Sequence, residues 1–63
     1  MIKVKVADQT FEFRDREAAQ RGRTRWLSIA EEWEQDSAEW TWAHRVAFNI
    51  GLELQRTRPE AQG

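Results

Sequence analysis

The apolar residues of this 63-residue chain change their period once, at Arg14-Asp15. Before that point Ile2, Val4 and Val6 alternate with Lys3 and Lys5, and Phe11 and Phe13 alternate with Glu12 and Arg14. A period of two belongs to a half-buried strand. After it, Ala18, Ala19, Gly22, Trp26, Ile29, Ala30 and Trp33 recur at helical spacing, on a stripe roughly 120° wide. Two short strands followed by helices predict an α+β fold: a two-stranded antiparallel hairpin followed by two antiparallel helices, in the order ββαα. Residues 1–58 make one such domain, and 59–63 form a polar tail expected to fray.

Local signals place the boundaries. Ala7-Asp8-Gln9-Thr10 supplies turn chemistry. A two-residue Asp8-Gln9 loop would set Val6 opposite Phe11, Lys5 opposite Glu12 and Val4 opposite Phe13, all sensible cross-strand pairs. Asp15 suits the cap of the first helix and Glu17 its first turn. Gly22 lies on the apolar stripe, which predicts a close backbone approach to the hairpin. A break falls near Gln35-Asp36-Ser37, with Asp36 and Glu39 spaced as a capping box. The second helix then runs to about Arg56, and Pro59 marks its stop. Its main apolar face is Trp40, Ala43, Val46, Ala47, Ile50, Gly51 and Leu54.

That helix carries more apolar surface than one face can hold. Phe48 and Leu52 form a pair beside the main face, and Trp42 points away from both. Two placements are open: the pair reaches around to the hairpin or first helix, or it faces a partner, either a second copy or another protein. A domain near this size buries only about 60% of its unfolded surface, which favours a partner. Of the four tryptophans, Trp26 and Trp33 are expected in the core. Trp40 and Trp42 face opposite ways on a helix, so Trp42 is expected as the surface anchor, beside Arg45, unless the first turn frays and both rings fold back against the first helix. Two strands also leave two open edges, which Lys3, Lys5 and Arg14 discourage from further pairing.

Charge is segregated although the net charge is -1. Residues 1–25 carry +3 and residues 31–39 carry -5, from Glu31, Glu32, Glu34, Asp36 and Glu39. The acidic corner, with Glu31, Glu34, Asp36 and Glu39 as candidate contacts, suits a basic protein surface and equally a solvated loop. Arg21, Arg23 and Arg25 suggest the alternative, a small nucleic-acid-binding regulator in which Trp26 stacks on a base. A helix does not gather all three on one flank, so nucleic acid ranks second.

Other classes find little support. The chain has one histidine, no cysteine and no tyrosine, so no nucleophile, base and orienter assemble. No thiolate metal site, phosphate-cradling glycine loop or cofactor motif is present. No apolar run reaches the ~20 residues of a membrane span, and Met1-Ile2-Lys3-Val4-Lys5 is unlike a signal peptide, so a cytoplasmic location is expected. The run Phe11-Glu12-Phe13-Arg14-Asp15-Arg16-Glu17-Ala18-Ala19 resembles the strand-into-helix passage of small phage and mobile-element proteins. There an F-x-F strand meets an acidic cap and an E-A helix start. The resemblance implies a tiny non-enzymatic accessory protein of the anti-CRISPR inhibitor type, one that occupies the surface of a host effector complex. No inhibitor motif carries over residue by residue.

Overall fold

The computed structural model describes residues 1–57; the predicted tail 59–63, its Pro59 stop and the domain boundary at residue 58 lie outside the described residues. Strand β1 (Ile2–Val6) pairs antiparallel with β2 (Gln9–Phe13), and α1 (Arg16–Glu31) and α2 (Ala38–Arg56) follow. This is the ββαα order that the change of period predicts.

The hairpin register differs from the predicted one by two residues. Its loop is Ala7-Asp8, and the pairs are Ile2 with Phe13, Lys3 with Glu12, Val4 with Phe11, Lys5 with Thr10 and Val6 with Gln9. A slip of two keeps every side chain on its own face, so alternation alone does not choose between the two registers. The neighbours do. The predicted register would set Lys3 opposite Arg14, a repulsive pair, and would draw Asp15 into the ladder opposite Ile2. In the observed one Asp15 is released to cap α1, where its Oδ1 accepts from the Ala18 N–H at 2.8 Å. Ala7 provides the left-handed backbone that the tight loop needs, with φ 53°.

The second helix begins one residue later than the capping-box spacing suggests. Ser37, not Asp36, is its cap: the Ser37 hydroxyl accepts from the Trp40 N–H at 3.1 Å. Asp36 instead takes φ 69°, a turn position that a short polar side chain tolerates. At the far end, Arg16 of α1 donates to the Thr57 hydroxyl at 3.3 Å, tying the start of one helix to the end of the other.

Val4, Val6, Ala19, Val46, Ile50 and Leu54 form the core, with Ile2, Phe11, Phe13, Trp26 and Trp42 packed around it. β1 lies on α2 and β2 on α1. Ala19 and Ala30 of α1 and Ala43 and Ala47 of α2 are also buried, short side chains that let two helices approach closely. Among the described residues no polar side chain is buried. The close approach expected at Gly22 is present: a Cβ built there would lie 2.6 Å from Cε1 of Phe13. One helical turn on, Trp26 meets Phe11 edge to face, with ring centroids 5.9 Å apart.

Candidate functional site

Two elements cover α2, the sheet and α1, so its buried arc is broad: Ala43, Val46, Ala47, Ile50 and Leu54. Opposite that arc, Arg45, Phe48 and Leu52 follow at spacings of three and four, which sets them in one row. Phe48 is 66% exposed and Leu52 48%, so neither is sequestered against the hairpin or α1. Arg45 is exposed beside them. The row borders a groove of about 530 Å³ lined by Gln20, Arg23 and Thr24 of α1 and by Phe48, Gly51 and Leu52 of α2, among others. Arg23 crosses to α2 here, its Nε 3.3 Å from the position a Cβ on Gly51 would take. The sequence marks Gly51 only as a member of the apolar face and Arg23 only as a candidate for nucleic acid; neither signal points to this groove.

Trp42 is not the exposed anchor that opposition to Trp40 predicts. It is half-buried and packs against the core. The physical reason is the width of the covered arc: Trp42 lies one turn from Val46 and two from Ile50 and falls at the edge of that arc. Trp40 is the one that lies away from the core cluster, half-buried, with its ring centroid 4.4 Å from that of exposed His44. Trp33 departs from expectation too. Helix α1 ends at Glu31 with Glu32 as its cap, so Trp33 falls past the last helical turn and is 47% exposed rather than core.

Trp42 and Trp33 nevertheless border one groove. Together with Trp26, Ile29, Ala38 and Glu39 they line this second groove, of about 360 Å³, where α1 ends and α2 begins. The two grooves share no lining residue. The candidate contacts read from the sequence are thus divided: Arg45, Phe48 and Leu52 on the outer row of α2, Trp42 and Glu39 in the tryptophan groove. Glu31, Glu34 and Asp36 are exposed at the same end of the helical hairpin as that groove.

The arginines of α1 do not form one surface. Arg21 pairs with Glu17 at 3.6 Å, both side chains largely exposed. Arg25 lies on the same flank as Arg21, in a shallow depression beside Gly22, while Arg23 belongs to the outer groove against α2. Arg56, away from both grooves, donates to Glu53 from Nε at 3.2 Å. That hydrogen bond, with the attraction of the carboxylate, raises its pKa further above the ordinary guanidinium value. Among the described residues no three histidine, aspartate or glutamate side chains gather as a metal site would require, and no helix is long and apolar enough to cross a membrane. Comparison with protein-family models, curated proteins and solved structures finds no match to this chain.

Proposed function

We propose that this chain is a non-catalytic protein-binding module that acts by occupying a partner surface through the outer row of α2. One observation carries the reading: Phe48 and Leu52 stand exposed side by side, flanked by Arg45. A phenylalanine side chain offers about 200 Å² of surface. With 66% of Phe48 in solvent, a partner covering the remainder removes on the order of 130 Å² of apolar area from water, worth about 3 kcal/mol. That is hot-spot scale, and arginine beside an aromatic ring is a frequent hot-spot pairing. The partner is a second copy or another protein. An inhibitor that blocks a host effector complex sterically, the role the resemblance implies, is a special form of the same proposal.

Light scattering across a dilution series, on the wild type and on Phe48→Ala, tests it. A wild-type dimer lost in a Phe48→Ala protein of similar melting temperature assigns the row to a second copy. A monomer that cross-links to one host protein through this row, and loses that product in Phe48→Ala, assigns it to a different partner. Association that survives Phe48→Ala unchanged, or a wild type with no self-association and no cross-linked product, overturns the proposal.

A further inference from the structure

The tryptophan groove is built differently from the outer row of α2, and its chemistry points to a different ligand. Three of the four indoles in the chain line it, with Glu39 among the other lining residues. Two of the three are held in place. Trp26 is braced edge-on by Phe11, and Trp42 packs on the core. Trp33, outside the helix and 47% exposed, completes the wall from the solvent side.

Charge along the connecting stretch of chain has one sign, bounded by Arg25 just before Trp26 and by Arg45 just after His44. From residue 26 to residue 44 the chain has no lysine or arginine, and it places five carboxylates there: Glu31, Glu32, Glu34, Asp36 and Glu39. All five are exposed, and among the described residues none is in a salt bridge. An indole face attracts a cation through its quadrupole, more strongly than a phenyl or phenol ring does. Carboxylates around it raise the local concentration of cations and repel anions. An uncharged apolar segment would gain from the rings alone and leave the field unused. A nucleic acid would be repelled.

We propose that this groove receives a basic side chain, lysine or arginine, presented by an exposed segment of a partner protein. The groove is open to solvent rather than enclosed, which suits a side chain presented by a polypeptide. Its volume of about 360 Å³ is ample for an alkylammonium or guanidinium head with its stem. The stem lies against Ile29 and the indoles, the head meets Glu39, and neighbouring basic residues of the same segment face Glu31, Glu34 and Asp36. The assignment does not depend on the outer row of α2 being an interface.

The test is an NMR titration of the ¹⁵N-labelled chain with a decapeptide of alternating lysine and glycine, with its Nε-acetylated form as the uncharged control. The four indole N–H signals are the readout, and Trp40, which is outside the groove, is the internal reference. The signals of Trp26, Trp33 and Trp42 are expected to move while that of Trp40 stays, and the acetylated peptide is expected to move none of them. Trp33→Ala removes one wall with no change of net charge and is expected to weaken binding about fivefold. Trp33→Phe should recover part of the loss. Glu34→Gln, which removes one charge outside the groove lining, should weaken it less than Trp33→Ala does. Equal shifts from the acetylated peptide, no indole shifts at millimolar peptide, or a Trp33→Ala protein that is folded and binds as the wild type does would each overturn the assignment.

Discussion

Two glycines sit inside helices of this fold, and replacing each by alanine is expected to act in opposite directions. Alanine is favoured over glycine in a helix interior by about 1 kcal/mol, so both substitutions start with the same gain. At Gly22 the new methyl would lie 2.6 Å from Cε1 and 3.1 Å from Cζ of Phe13. Ordinary carbon contacts need ~3.5 Å or more, so the ring has to retreat by about 1 Å. Phe13 sits against the core and opposite Ile2, where a forced shift of this kind costs on the order of 2 kcal/mol. The net effect is a loss of about 1 kcal/mol, or a melting temperature lower by about 4–8 °C. At Gly51 the new methyl meets only the end of the Arg23 side chain, at 3.3 Å from Nε and 3.7 Å from Cδ. That end swings aside freely, so Gly51→Ala is expected to stabilise by about 0.5–1 kcal/mol. Thermal and urea unfolding followed by circular dichroism measure both. Placing Gly22→Ala in a Phe13→Leu background removes the ring and should restore the gain. If Gly22→Ala melts at or above the wild type with Phe13 intact, the close approach of β2 to α1 does not constrain this position and the argument fails.

The two helix caps supply a further test. Asp15→Ala and Ser37→Ala should each lower stability by about 1 kcal/mol. Because they lie at opposite ends of α1 and share no partner, the double variant should lose close to the sum, as urea midpoints will show. Ala7→Gly relieves the left-handed backbone at φ 53° and should raise stability by about 0.5–1 kcal/mol; a lower melting temperature would contradict the Ala7-Asp8 loop. Exchanging Glu17 for glutamine breaks an exposed pair with Arg21 and removes a first-turn charge, and should lower stability by no more than about 1 kcal/mol.

Most of the architecture is legible in the sequence because burial imposes a period. The alternation of Ile2, Val4 and Val6 with lysines, the spacing from Ala18 to Ala30 and the run from Ala43 to Leu54 each describe the face that the fold buries. What is not legible depends on neighbours that no local pattern encodes. The register was decided by Asp15 and by Lys3 facing Glu12 rather than Arg14. Trp33 continues the periodic stripe on paper, but the helix stops two residues short of it. Trp42 rather than Trp40 joins the core cluster, and both are half-buried, because α2 is covered from two directions and one stripe cannot describe two covers. Phe48 and Leu52 are the part of the candidate site that the sequence marks well: their surplus over the main face is visible by spacing alone. The tryptophan groove is not, since its walls come from both helices and the connection between them.

Trp26 and Trp42 stand at a boundary with two sides. Trp26 meets the hairpin through Phe11, Trp42 packs against the core that includes the valines of β1, and both line the tryptophan groove. Anything lodged in that groove therefore leans on the same rings that clamp the strands to the helices. Occupancy would tighten the clamp, and lifting the strands would spoil the socket. Detachment of the sheet and release of a guest become a single event, and a saturating guest would be read as added resistance to heat.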